Sequence, residues 1–302
     1  MTETITAAAS AQREALEGLE IGRRLCACPG GYHVLWGLLR SAGVGQGLKT
    51  EQPVLEPLLA GLLAKGGHVL VAGAADSGSL ALLHACARGE PVRFTVADLC
   101  AAPLERVTRY AGVHGIDAAT IQSDLAELKA DDPWDLVFIH YTLSFADQAL
   151  RRRVLCGLAR GLTPAGTVVC AVKFAADGDP SREGVAADSW QARIRPRLAA
   201  LLEAHPGDLA VVDALLPEYA RMRASRKALQ PVPAELEADF AACGLVVRER
   251  IDTPRADWAA SGDNPTADRQ HSVILVAGLA ANRDAGEVAA DAAAANRGGA
   301  AR

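Results

Sequence analysis

The chain has 302 residues, 50% of them hydrophobic and 22% charged, with a formal net charge of −5. That length admits one large α/β domain or two small ones, and mild acidity without a block of lysines and arginines argues against a general nucleic-acid binder. No apolar run approaches the ~18 residues needed to span a bilayer, and the N-terminus lacks the charged-then-apolar order of a signal peptide, so a cytoplasmic chain without a membrane partner is expected. The seven cysteines are odd in number and scattered, which reads as reduced thiols rather than a disulfide scaffold.

Residues 1–8 are polar and alanine-rich. Residues 9–65 read as helices. Leu16, Leu19, Ile21 and Leu25 make one apolar stripe, Val34, Leu35, Leu38 and Leu39 a second, and Val54, Leu55, Leu58, Leu59, Leu62 and Leu63 a third. Pro29-Gly30-Gly31 and the segment from Gly43 to Gly47 separate them. The pattern then changes to short strand candidates, an apolar run at 68–72, an alternating segment at 92–97 and further segments at 118–122, 134–139 and 167–174, interspersed with helical stretches at 78–89, 102–114 and 145–161. Such alternation predicts a parallel sheet with helices on both faces. Residues 181–230 are helical with no strand candidate and read as an insertion after the fifth strand. A helix from Pro233 to Cys243 and strands at 245–251 and 271–278 follow. The last segment, 281–302, has almost no large apolar side chain and is expected to be disordered or a frayed helix.

In open parallel sheets the ligand lies at the carboxyl ends of the strands. The residues placed there are Gly73-Ala-Ala-Asp-Ser-Gly78 after the first strand, Asp98 and Leu99 after the second, Asp124 and Leu125 after the third, and His140 and Tyr141 after the fourth. A carboxylate in the position of Asp98 can accept both hydroxyls of a ribose. Asp76 would place a negative charge beside the two phosphates of a dinucleotide, which is unfavourable in a partly buried site. An ammonium suits it better, and an aspartate there is also an ordinary helix N-cap.

Residues 66–174 resemble the core of a class I S-adenosylmethionine-dependent methyltransferase. The matching pieces are HVLVAGAADSGSLALLHA, VRFTVADLCAAPLERVTRYA, IQSDLAEL, WDLVFIHYTLSF and LARGLTPAGTVVCAVKF. FAACGLVVRERID and HSVILVAG suit the end of that fold, whose last strand runs antiparallel. The resemblance implies an α/β fold, a doubly wound, Rossmann-like, mostly parallel seven-stranded sheet with an N-terminal helical cap and a helical insertion after the fifth strand. The expected divisions are a cap over 1–65, a cofactor-binding core over 66–175, a lid over 176–230, a completing segment over 231–280 and the tail.

The same resemblance implies S-adenosylmethionine as cofactor and a small-molecule acceptor. Gly73, Ala75, Asp76 and Gly78 would face the methionine moiety, Asp98 with Leu99 the ribose, and Asp124 with Leu125 the adenine. His140 would lie over the methyl-transfer end as the general-base candidate with Tyr141 beside it, or serve as a hydrogen-bonded wall. The family usually has glycine where this chain has Ala75 and Ser77. Tyr32, His33 and Trp36 are candidates to cap the acceptor, or else pack a helix onto the core. Arg221 begins a basic run, through Lys227, that suits an acidic acceptor or a solvated helix face. Cys26 and Cys28 with His33 have some look of a metal site, but no second ligand pair follows, so no metal is expected. The rival readings are an NAD(P)-dependent oxidoreductase and a catalytically silent methyltransferase-like subunit. Exposed apolar helices in 9–65 make a homodimer unsurprising.

Overall fold

The apolar runs become β1 (Gly67–Ala72), β2 (Val92–Asp98), β3 (Ala118–Gln122), β4 (Trp134–His140), β5 (Leu162–Phe174), β6 (Leu245–Asp252) and β7 (His271–Leu279). They pair in one seven-stranded sheet of order β3-β2-β1-β4-β5-β7-β6 in a computed structural model that describes residues 2–44, 47–174, 187–227, 229–253 and 271–280. The first five strands run parallel. β7 lies antiparallel to β5, and β6 antiparallel to β7, as the resemblance implied. The chain winds outward from β1 to β3 on one side and from β4 to β5 on the other. The switch point is therefore between β1 and β4, where a ligand crevice is expected.

Both sheet faces are covered, which is why the central strands are continuous apolar runs rather than alternating ones. Leu70, Val137, Ile139, Val168 and Cys170 face α6 (Gln148–Arg160) and α9 (Pro233–Ala242), packing with Leu155, Leu158 and Phe240. Val69, Val71, Phe94, Val96 and Phe138 face the opposite way. They pack with Leu55 and Leu59 of α3 (Gly47–Leu62), Leu83 of α4 (Gly78–Ala87) and Val107 of α5 (Ala101–His114).

A third core joins segments that the sequence keeps far apart. Leu19 of α1 (Thr2–Leu25) and Leu35 and Leu38 of α2 (Tyr32–Ser41) pack with Ile194 and Leu198 of α7 (Ala187–Leu201) and with Leu216 and Tyr219 of α8 (Pro206–Lys227). The first two helices and the insertion thus form one body, while α3 packs on the sheet. The start of the expected lid, 176–186, and the expected tail lie outside the described residues.

One expectation is overturned. Cys156 and Cys243 form a disulfide with their Cα atoms 4.6 Å apart, so not all the thiols are reduced. α6 and α9 lie side by side on one sheet face and bring together residues 87 positions apart, a pairing that spacing along the chain does not reveal. No helix among the described residues is long and apolar enough to cross a membrane.

Candidate functional site

β1 ends at Ala72, and the chain turns at Gly73 with φ +86°. A Cβ there would come within 2.3 Å of Thr142 Oγ1, so both the backbone and the space demand glycine. β2 ends at Asp98. Its carboxylate accepts from the Ala74 N–H at 2.9 Å and the Cys100 N–H at 2.7 Å, strapping the glycine turn to the start of α5. Burial pushes the Asp98 pKa up, and the two backbone donors pull against it. Each oxygen keeps a lone pair for a further donor such as a hydroxyl. Beside it Leu99 is 69% exposed, an apolar side chain held out on the rim. After β3, Asp124 accepts from the Ala126 N–H at 2.9 Å, and Leu125 is buried. Gly73, Asp98, Leu99 and Asp124 thus share the carboxyl ends of three adjacent strands.

Asp76 is not a free carboxylate. One oxygen accepts from the Trp36 indole at 2.9 Å and from the Arg40 guanidinium; the other accepts from the Gly78 N–H at 2.7 Å, at the start of α4. Burial opposes its charge, but Arg40 and Arg106 outweigh burial and hold its pKa below the usual range. Asp76 therefore caps its own turn and docks α2 onto the sheet edge. Ala75 lies half-buried in the same turn.

His140 and Tyr141 meet a partner absent from the sequence expectations. Glu51, on α3 and fully buried, accepts from His140 Nε2 at 2.9 Å, from Ser272 Oγ at 2.7 Å and from the Tyr141 hydroxyl. Burial raises the Glu51 pKa, and the contacts with His140, Tyr141 and Ser272 overcome it and leave the carboxyl below its ordinary value. An ionised carboxylate can only accept, so the His140 proton on that side sits on Nε2. In the neutral ring Nδ1 then carries the lone pair. Tyr141 adopts φ +61°, unusual for a residue with a side chain. Its ring lies under the Lys173 ammonium, 4.5 Å from the centroid. Burial drives the Lys173 pKa down to about 8, against the pull of Glu51.

α2, α7 and α8 contribute a wall of aromatic and cationic side chains. Tyr32 stacks on Trp36 at 5.5 Å and on Tyr219 at 6.0 Å. Arg226 lies over Tyr32 at 5.1 Å and over Phe145 at 5.7 Å, and Arg223 lies over Trp190 at 4.9 Å. Two nitrogens of Arg193 are buried with no hydrogen-bond partner among the described residues. Arg221 itself is exposed, and its neighbours Arg223 and Arg226 make the ring contacts. His33 is buried with its ring edge-on to Tyr32 at 4.8 Å, and its Nδ1 stands 3.7 Å from Cys26 Sγ and 3.5 Å from Cys28 Sγ.

No family model matches the chain, and no curated protein matches it. Solved structures do. One is a geranyl diphosphate methyltransferase in complex with S-adenosylmethionine, with a TM-score of 0.52 at 15% identity, covering 82% of this chain and 90% of that one. A second is the geranyl diphosphate C-methyltransferase of Streptomyces coelicolor A3(2) with Mg2+, geranyl diphosphate and S-adenosyl-L-homocysteine. It gives a TM-score of 0.52 at 13% identity, over 82% of this chain and 85% of that one. The chain shares the fold of these methyltransferases. Identity this low speaks to fold, and function has to be argued from the site.

Glu51 left one trace in the sequence. It stands four residues before Leu55 and eight before Leu59, both fully buried, so it falls on the apolar face of its own helix. Lys173 and Ser272 left none, because the antiparallel pairing of β5 with β7 alone brings them together.

Proposed function

We propose that the protein is an S-adenosylmethionine-dependent methyltransferase acting on a small-molecule acceptor that carries an anionic group. One observation carries the reading: the β2 carboxylate of Asp98 stands beside the exposed Leu99 and is hydrogen-bonded to the glycine turn. A ribose needs a paired-oxygen acceptor, and the face of an adenine needs an apolar neighbour; these two residues supply both. Asp124 would meet the adenine edge, and the turn at Gly73 the methionine segment. Asp76, already neutralised by Arg40, leaves the amino-acid end to other groups of that turn.

When bound, the cofactor supplies an electrophilic sulfonium methyl group. The chain's part is to orient the acceptor, exclude water and move a proton. His140 Nδ1 takes that proton where the acceptor arrives protonated, while Glu51 fixes the ring and stabilises the imidazolium that forms. The partnerless nitrogens of Arg193, with Arg223 nearby, favour an anionic group, because a buried guanidinium without an acceptor is costly. Tyr32, Tyr219 and Phe145 suit an apolar or aromatic remainder. Geranyl diphosphate, after which both of those methyltransferases are named, is an acceptor of that general kind: an apolar chain with an anionic head. The net charge of −5, without a block of lysines and arginines, argues against a nucleic-acid acceptor.

Thermal unfolding with S-adenosylmethionine, S-adenosylhomocysteine, NAD and NADP, each added separately, tests the reading. A ligand at a hundredfold excess over its dissociation constant stabilises by ~2.7 kcal/mol. The two sulfur nucleosides should raise the midpoint in the wild type and fail to do so in Asp98→Ala. A shift with a nicotinamide cofactor alone would overturn the proposal.

A further inference from the structure

We infer that Cys26, Cys28, His33 and Cys100 form a structural zinc site that clamps the first two helices to the loop bearing Asp98. The sequence argued against a metal because no second ligand pair follows Cys26, Cys28 and His33. The fold brings a single fourth ligand, Cys100, from the turn between β2 and α5. Cys100 sits at the N-cap of α5, and one ligand atom from each of the four residues lies within 4.8 Å of all the others. His33 and Cys100 are buried, and Cys26 and Cys28 are half-buried.

Two of the sulfur–nitrogen distances are those a zinc ion imposes. With Zn–S near 2.3 Å and Zn–N near 2.05 Å, tetrahedral geometry separates a sulfur from a nitrogen by ~3.6 Å. His33 Nδ1 stands 3.7 Å from one sulfur and 3.5 Å from another. Three thiols and one imidazole are a soft donor set that suits zinc and discriminates against magnesium or calcium. Four protein ligands close the coordination sphere and leave no position for a substrate, which makes the role structural.

The backbone is shaped to bring these groups together. Between Cys28 and His33 the chain turns through Pro29–Gly31, with φ +63° at Gly30 and +56° at Gly31. A Cβ at Gly30 would come within 2.8 Å of the Tyr219 backbone, so this left-handed turn is also pressed against α8. At the other end, Cys100 is held in place as the N-cap residue of α5. The other free thiols, Cys86 and Cys170, are buried separately, and Cys156 is paired with Cys243.

The consequence reaches the proposed cofactor edge. The Cys100 N–H donates to Asp98 at 2.7 Å, so a ligand of the metal also holds the carboxylate assigned to the ribose. Zinc would thereby fix α1 and α2 to the β2 turn. The site itself stands whether or not the methyltransferase reading does.

The test is metal uptake by the full chain in a mild phosphine reductant, read without any nucleoside. After chelation and dialysis, zinc should bind at about one equivalent per chain and raise the unfolding midpoint. Cobalt(II) added in its place should give the intense visible bands of a tetrahedral thiolate site. Cys28→Ser and Cys100→Ser should each lose stoichiometric uptake and the cobalt spectrum, while Cys86→Ser keeps both. Failure of the wild-type chain to bind either ion would overturn the inference, and that result does not depend on any variant folding. Uptake that persists in both ligand variants would overturn it too, as would a disulfide among these cysteines in protein purified without reductant.

Discussion

Glu51 receives hydrogen bonds from β4, from the residue after it and from β7, and all three donors need it to be an anion. Glutamine keeps the size but offers one accepting oxygen and an NH2 that points a donor at groups which are themselves donating. Glu51→Gln should therefore destabilise the fold by about 1–3 kcal/mol in urea unfolding. It should also slow methyl transfer by about a hundredfold or more while S-adenosylhomocysteine affinity holds, since the imidazolium loses its counter-charge. A variant with the wild-type rate would remove Glu51 and His140 from proton transfer. Lys173 makes a separate case with a definite sign. Burial takes its pKa from 10.5 down to about 8, so between those values the unfolded chain binds more protons than the native one. Stability should rise with pH across that window, and below it the charged lysine costs at most ~3 kcal/mol. Lys173→Met should accordingly be more stable than the wild type at neutral pH, with the gap closing as pH climbs from about 8 to 10.5. Parallel stability curves for the two proteins would contradict this.

Between elements, the junction of α6 and α9 turns on one aspartate. Asp239 is completely buried and accepts from Arg151 at 2.9 Å, from Arg152 at 2.7 Å and from Gln148 at 3.2 Å. Arg151 is buried as well, and it also donates to the Ala146 carbonyl at 2.9 Å. Asp239→Ala would leave that guanidinium buried with only the half-exposed Glu235, 3.8 Å away, as counter-charge, a loss of about 3–5 kcal/mol. Arg152→Ala should cost no more than ~1 kcal/mol, because its side chain is 46% exposed. Equal losses in the two variants, measured by urea unfolding, would show that the burial difference does not govern the junction. The contrast also marks what a sequence can convey about elements. β1 and β4 were legible because strands buried on both faces become apolar runs, closed by a turn residue or a polar one, and β2 because its residues alternate and end at a polar one. Asp98 was legible because it ends that alternating segment directly. Asp239 was not, since its value lies in a lateral contact with a helix 87 or more residues earlier. Cys100 was hidden in the same way: its partners are on α2 and in the turn before it.

At the scale of the whole molecule, the disulfide divides the chain unevenly. The loop it closes spans 87 residues and contains β5, α7 and α8, while α1 and α2 lie outside it. Those helices nevertheless share a core with α7 and α8, so the cross-link constrains only half of the body that stands over the carboxyl edge. This explains why a cap and an insertion read separately from sequence converge in one layer: their contacts are made across most of the chain length, where no local periodicity records them. Closing a loop of this size removes enough freedom from the unfolded chain to stabilise the fold by about 4–5 kcal/mol in the chain-entropy treatment. Reduction should lower the urea midpoint of the wild type accordingly, and a Cys156→Ser, Cys243→Ser double variant should match the reduced wild type under either condition. The zinc cluster gives a second tie, on the side the disulfide does not reach, and in a phosphine reductant it should survive. Loss of the disulfide alone should therefore leave cobalt uptake intact while the midpoint falls; if reduction leaves the midpoint where it was, the two thiols are not joined in solution and α6 holds α9 through Asp239 and the packing of Leu155 and Leu158 with Leu236 and Phe240.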